Sequence, residues 1–262
     1  MDLSSLTTQT ISVVKNVGQF IRNERINFDA SKIETKGYNN LVSYVDKKAE
    51  IMLVEQLHKL LPEAGFIGEE DASTIGKKEV NWILDPLDGT TNYLHGFPLY
   101  AVNVALMAKE DVWVGVTYLP ESDQCYYAWK NGGAWLNGSK IFVSQNTAIS
   151  KSLLMQGFPY KMGTKENAYY ELLKEVNNTA HGFRHTGSAA IDMAMVASGV
   201  ADAYFEYAVF IWDIGPGILI VKEAGGFISD FRNGNGFWDA SEIVAAGNVH
   251  DELIALISKY WK

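Results

Sequence analysis

An apolar run, Trp82-Ile83-Leu84, passes directly into Asp85-Pro86-Leu87-Asp88-Gly89-Thr90-Thr91-Asn92, and few folds accommodate that junction. The apolar residues have the pattern of a buried strand, and two carboxylates three residues apart close it. Pro86 fixes one backbone angle in the turn after the strand, and Gly89 permits close backbone approach. Thr90 and Thr91 then open a helix whose free N–H groups can receive an anion. Carboxylates and an anion site are thereby placed side by side at the end of a core strand.

Carboxylates repel an anion unless a cation bridges them, and hard oxygen ligands beside a phosphate are the usual setting of Mg²⁺. Taken alone, the pair serves equally well as turn caps, because Asp, Pro and Gly are ordinary turn residues. Two further acidic clusters bear on the choice. Gly68-Glu69-Glu70-Asp71 follows a short apolar strand, and Trp212-Asp213 opens a helix through Gly215-Pro216-Gly217, with Pro216 expected in its first turn. Each has an ordinary reading of its own, a solvated turn for Glu69-Glu70 and an N-cap for Asp213. Three clusters, each where an apolar element begins or ends, favour one shared site.

Other phosphate and metal motifs do not fit. A haloacid-dehalogenase nucleophile loop has one residue between its acids where this chain has two, and an EF-hand loop from Asp85 needs Glu at its twelfth position, which is Gly96. The five histidines, at 58, 95, 181, 185 and 250, show no metal-ligand spacing, and only His95 stands beside the acidic loop. The single cysteine, Cys125, lies in the strand-like run Gln124-Cys125-Tyr126-Tyr127 and is expected as a buried structural thiol. A formal charge of −9 is a poor footprint for nucleic acid or an anionic membrane surface, so phosphate handling here needs cations. The first residues carry no basic segment before an apolar run, and no stretch approaches the roughly 18 apolar residues of a membrane span. The expectation is a soluble, cytoplasmic protein with no direct nucleic-acid or membrane partner.

With 262 residues, 47% of them hydrophobic, the chain can bury a large core. Apolar spacing predicts helices from Leu6 to about Ile21 and from about Val45 to Leu60, stopped by Pro62. Strand patterns at 65–70, 80–86, 100–109, 112–119, 124–130 and 134–143, punctuated by Asn131-Gly132-Gly133 and Asn137-Gly138, predict a meandering, largely antiparallel sheet. Beyond about residue 145, strands and helices alternate: strand 152–158, helices 166–178 and 188–198, strand 201–207, helix 213–224, strands near 227–231 and 243–246, and a last helix from about Asp251. No repeat or linker intervenes. Residues 1–145, an α+β half with the metal loops, and 146–262, an α/β half with the substrate segment, are expected to form one compact layered unit.

Asp46, Glu69-Glu70, Asp85-Pro86-Leu87-Asp88-Gly89-Thr90, Trp212-Asp213 and Gly225-Gly226 together resemble the pattern of the inositol monophosphatase family, within the lithium-sensitive, Mg²⁺-dependent phosphatase superfamily. The likeness runs from about residue 36 to 247. It implies a layered αβαβα sandwich of the inositol monophosphatase and fructose-1,6-bisphosphatase type, a homodimer, and two or three Mg²⁺ ions. By the same resemblance, Glu69, Asp85 and the Leu87 carbonyl hold one ion, Asp85, Asp88 and Asp213 a second, and Glu69 a third, weaker one. Glu69 and Thr90 would activate the attacking water with Asp46 supporting Thr90, and the backbone N–H groups of Gly89 and Thr90 would hold the phosphate. Lys36, matching a lysine near the family's metal loop, and Glu70 stand as further candidates.

The resemblance also sets the substrate alcohol against Gly187, Ser188 and Ala189, with Glu206 accepting from its hydroxyls. It implies a phosphomonoesterase that uses metal-activated water on a small phosphorylated polyol, with myo-inositol 1-phosphate leading. Relatives on the scaffold include 3′(2′),5′-bisphosphate nucleotidases, which commonly continue the metal loop with Lys-Glu-Phe rather than Thr91-Asn92-Tyr93, and fructose-1,6-bisphosphatases and histidinol phosphatases. A reading of another class is a regulatory binding partner of transcription machinery, since some bacterial relatives bind it.

Overall fold

The computed structural model describes residues 1–26, 33–37, 40–70, 76–159, 163–238 and 242–261, and the side chains of 33–37 and 40–42 lie outside that description. Helix α1 (Leu3–Ile26), the antiparallel hairpin β1 (Ile33–Gly37) and β2 (Asn40–Ser43), and helix α2 (Tyr44–Leu60) come first. A seven-stranded sheet follows in sequential order: β3 (Gly65–Gly68), β4 (Val80–Asp88), β5 (Ala101–Ala108), β6 (Asp111–Leu119), β7 (Gln124–Trp129), β8 (Ala134–Leu136) and β9 (Ser139–Ile141). Only β3 and β4 are parallel, and the short helix α3 (Thr90–Leu94) interrupts the meander after β4.

The rest of the chain supplies β10 (Leu153–Gln156), α4 (Glu166–Thr179), β11 (Gly182–Arg184), α5 (Ala189–Ala197), β12 (Ala203–Tyr207), α6 (Ile211–Glu223), β13 (Phe227–Ser229), β14 (Glu242–Ala246) and α7 (His250–Ile257). Its five strands form a second, mixed sheet in the order β11-β10-β12-β14-β13.

Period-two alternation divides the strand residues among three apolar seams. Trp82, Leu84, Val102 and Val104 pack with Val14, Ile21, Leu53 and Leu57 of α1 and α2. Ile83, Ala101 and Ala105 point the other way, into a cluster with Ile191 and Val196 of α5, Ile218 of α6, and Tyr204, Ile243 and Ala245 of the second sheet. Phe205, Val244 and Ala246 face outward from that sheet onto Tyr169, Leu172, Leu253 and Ile257 of α4 and α7. The middle seam spans α5 and α6 and touches both sheets, and the outer two bind α1 and α2 to the first sheet and α4 and α7 to the second, so the expected αβαβα sandwich is the observed one. Both central strands are covered on two faces, which is why their sequences are almost continuously apolar. No helix among the described residues is long and apolar enough to cross a membrane.

Three local features differ from the sequence reading. The run 134–143 is a hairpin rather than one strand, because Asn137 and Gly138 take φ of 47° and 84° and reverse the chain between β8 and β9. β4 does not end at Pro86 but continues to Asp88. Pro216 is not in the first turn of its helix: α6 begins at Ile211, so the proline is its sixth residue. A proline there lacks the N–H that the Trp212 carbonyl would accept. The amide of Asn103, fully buried on β5, supplies the missing donor: its Nδ2 lies 2.8 Å from Trp212 O and 2.8 Å from Asp213 O.

Candidate active site

In a straight strand, residues three apart point to opposite faces. In β4 the register shifts between the two acids: Asp85 pairs with Asn103 and Asp88 with Ala101, so three steps on β4 match two on β5. The bulge falls at Pro86, which has no N–H to give the ladder. Its effect is to turn both carboxylates toward α5 and α6, while Leu87 joins the seam under α1 and α2. Gly89 follows at φ 89°, where an added Cβ would stand 3.0 Å from Leu99 O, and the chain turns into α3.

Glu69, Asp85, Leu87, Asp88, Gly89, Thr90, Gly187, Ser188, Ala189, Glu206 and Asp213 all line one cavity of about 700 Å³ between the two sheets. Neither Asp46 nor Glu70 lines it. Asp46 lies just behind, and the Glu70 N–H donates to Glu50 Oε2 at 2.9 Å. Lys36 is on β1, and its side chain, like the whole of Asp71, lies outside the described residues.

Local structure fixes each acid. Glu69 stands at the end of β3, its N–H 3.2 Å from Leu84 O. Asp85 Oδ1 accepts the Leu87 N–H at 3.0 Å. Asp88 Oδ2 accepts the Ser188 hydroxyl and the Ala190 N–H, both at 2.7 Å, at the start of α5. Asp213, in the first turn of α6, accepts the Phe210 N–H at 2.7 Å. Asp46 belongs to the first turn of α2, where its Oδ2 accepts the Ser43 N–H at 2.9 Å and the Ser43 hydroxyl at 2.6 Å in a capping box. Its other oxygen lies 3.2 Å from Thr90 Oγ1, and that hydroxyl is also 3.0 Å from Leu87 O. One hydroxyl proton thus has two acceptors available.

Burial is the largest influence on the acids, and it pushes their protonation upward. Asp85 is raised well above the ordinary carboxylate range by burial and then by Glu69, Asp88 and Asp213. Asp213 is raised well above it by burial and Asp88, against the pull of the Phe210 N–H. Asp88 reaches about 6, burial being countered by the Ser188 hydroxyl and the N–H groups of Ala190, Gly89 and Ala189. Glu206 reaches about 7 through burial, although the Tyr204 hydroxyl 2.5 Å away opposes it. Among the described residues no three acids converge at ligand distance. Four hard oxygen donors whose charges destabilise each other fit a divalent cation, which would remove the repulsion.

Sequence reasoning missed two polar residues at this site. Asp192, buried on α5 and raised well above the ordinary range by that burial, lines the cavity and accepts the Thr186 hydroxyl at 2.6 Å. A lone acid in the otherwise apolar Ala189-Ala190-Ile191-Asp192-Met193 was the available signal. Asn103 sat in an equally apolar run, Val102-Asn103-Val104. Two partly exposed aromatics, Phe158 and Phe210, form the cavity rim, Phe210 stacked on Trp212 at 4.8 Å.

Known proteins are similar to this chain over nearly its whole length. A putative Nus factor SuhB of Neisseria meningitidis is 38% identical over 94% of this chain and 95% of its own length. A fructose-1,6-bisphosphatase/inositol-1-monophosphatase of Aquifex aeolicus is 36% identical, with 93% and 91% covered. The solved inositol monophosphatase of Anabaena (Nostoc) sp. superposes with a TM-score of 0.88 at 29% identity, covering 99% of this chain and 98% of that one. The sequence model of the inositol monophosphatase family matches residues 2–262. By fold, by sequence and by the whole-length family match, the chain belongs to the inositol monophosphatase family of phosphatases.

Proposed function

We propose that this protein is a Mg²⁺-dependent phosphomonoesterase whose preferred substrate is a small phosphorylated polyol, myo-inositol 1-phosphate first. The observation that carries the reading is the gathering of Glu69, Asp85, Asp88 and Asp213, from the end of β3, from β4 and from the first turn of α6, into one cavity that also holds Glu206. Glu69, Asp85, Asp88, Asp213 and the Leu87 carbonyl would hold the ions, two or three in number. Bound there, Mg²⁺ would neutralise charge on the phosphate and the leaving oxygen and would lower the pKa of water. Thr90, its hydroxyl shared between Asp46 and Leu87 O, orients water together with Glu69. Backbone N–H groups at Gly89 and Thr90 face the phosphate, and Gly187, Ser188 and Ala189 border the alcohol. Homodimer formation, lithium sensitivity, cytoplasmic residence and the action of 1–145 and 146–262 as one unit belong to the same reading.

Phosphate release is the test, measured with Mg²⁺ and with EDTA on myo-inositol 1-phosphate, fructose 1,6-bisphosphate, histidinol phosphate and adenosine 3′,5′-bisphosphate. Selective, EDTA-sensitive release from the inositol ester is the expected result. Preference for another ester keeps the mechanism and replaces the substrate. The Nus-factor name of the Neisseria relative supports a second reading, a binding partner of transcription machinery. Silence across the panel together with capture of polymerase components would favour it.

Glu206 provides a selective probe of the polyol. A Cβ on Gly157 would fall 1.7 Å from Glu206 Oε2, so Gly157→Ala must drive that carboxylate from its seat. The expected outcome is a KM for inositol 1-phosphate raised about tenfold or more, the size of one lost hydrogen bond to a charged group, with kcat much less changed. Steady-state kinetics check it, and an unchanged KM removes Glu206 from substrate binding.

A further inference from the structure

We infer that Asn103 is a positioning residue for Asp213: its amide clamps the first turn of α6 to the strand opposite Asp85 and so sets the spacing of the carboxylates across the cavity. This rests on the proposed role of Asp213 as a metal ligand.

Asn103 is fully buried in the middle of the seven-stranded sheet, in register with Asp85 on one side and Thr117 on the other. Cross-strand neighbours share a face, so the amide rises from the sheet beside the Asp85 carboxylate, toward α6. Both of its N–H donors are used, on Trp212 O and Asp213 O at 2.8 Å each, and its oxygen accepts the Thr117 hydroxyl at 2.6 Å. Those partners admit a single orientation, because a flipped amide would set its oxygen against two carbonyls.

Pro216 makes the clamp necessary. It leaves the Trp212 carbonyl without a helical partner, and its ring crowds that carbonyl, so the first turn of α6 has one fewer bond to hold its position. Asn103 restores the bond from outside the helix and adds a second to Asp213 itself. Asp213 is then fixed at two points, its backbone by Asn103 and its carboxylate by the Phe210 N–H. A slip of the turn along the sheet would move Asp213 relative to Asp85 and Asp88 while leaving the apolar seam intact.

The test measures Mg²⁺ affinity of the metal-free full chain by titration calorimetry, alongside melting in EDTA. Asn103→Leu keeps the branched shape and the heavy-atom count, at a larger volume, and removes both donors. The expected result is a dissociation constant weakened about 10–100-fold, the usual effect of disturbing the groups that orient metal ligands. Asp213→Asn should weaken binding as well, and Asn103→Leu added to it should weaken binding no further, since the lost positioning acts through Asp213. Should Asn103→Leu fail to fold, Thr117→Val, which takes the donor from the amide oxygen and so loosens the seat of the amide, is expected to weaken Mg²⁺ binding several-fold with the melting profile retained. Wild-type Mg²⁺ affinity in a folded Asn103→Leu or Thr117→Val chain, or losses that simply add in the double variant, overturns the inference and leaves Asp213 as a ligand. Unchanged affinity in Asp213→Asn removes the ligand role and the inference together.

Discussion

Asp88→Asn and Asp213→Asn each lower kcat for phosphate release by roughly 10³-fold or more, and the folded chain survives both changes. Survival follows from how the carboxylates are held. Asp88 takes the Ser188 hydroxyl and the Ala190 N–H on one oxygen, and the carbonyl of an Asn can occupy that place. Asp213 likewise accepts the Phe210 N–H through one oxygen. What the substitution removes is a negative charge and a hard anionic ligand, for which a neutral amide is a poor substitute toward Mg²⁺. It also removes a charge that raises Asp85, so melting in EDTA should rise rather than fall. Circular dichroism and melting in EDTA separate the outcomes. Wild-type kcat in either variant removes that acid from the metal site, whereas a strongly lowered melting point assigns the loss to misfolding.

The acids themselves were legible because carboxylates at the end of a core strand need a reason, and three such clusters on one chain need a common one. Their geometry was not. Spacing alone sends Asp85 and Asp88 to opposite faces, and only the slipped register of β5 against β4 brings them together. The five-layer sandwich came from the resemblance, and the strand and helix patterns fixed most of its elements. β11 escaped because three residues, Gly182–Arg184, carry no period. The start of α6 escaped because Ile211-Trp212 fits a loop or a helix equally well until Asn103, more than a hundred residues earlier, is seen holding its carbonyls.

Long-range hydrogen bonds of that kind leave no local trace in sequence, which is also why Asp192 was passed over. Its helix was recognisable by apolar spacing, and the one acid in it looked like an interruption until Thr186 and the cavity surrounded it. Glu206 was reachable only through the resemblance, since a strand-end acid is ordinarily exposed. Tyr204 beside it and Gly157 beneath it account for its burial.

In EDTA the protein melts at a higher temperature at about pH 5.5 than at about pH 8, and Mg²⁺ reverses the order. Asp88 stands at about 6 in the folded chain against an ordinary 3.8, and Glu206 at about 7 against 4.5, with Asp85 and Asp213 also raised. A folded-state value above the unfolded one means that the native chain binds more protons between the two. The penalty is therefore fully present above the folded value and is relieved as pH falls through about 7 and then about 6. Between pH 8 and pH 5.5 Glu206 recovers about 2 kcal/mol and Asp88 about 1 kcal/mol of its larger full rise, together enough to move the melting point of a chain this size by several degrees. Asp230 is lowered, its burial outweighed by the N–H groups of Gly234, Arg232 and Gly236, and its contribution is lost only below the ordinary carboxylate value, outside this window. Mg²⁺ competes with protons for the same oxygens, so its stabilisation is largest at pH 8 and shrinks toward pH 5.5. Melting curves at the two pH values, with and without Mg²⁺, read all four corners. A melting point in EDTA that does not rise on acidification would mean that burial and mutual repulsion do not hold these carboxylates above their ordinary range, and the physical case for a cation between them would fall with it.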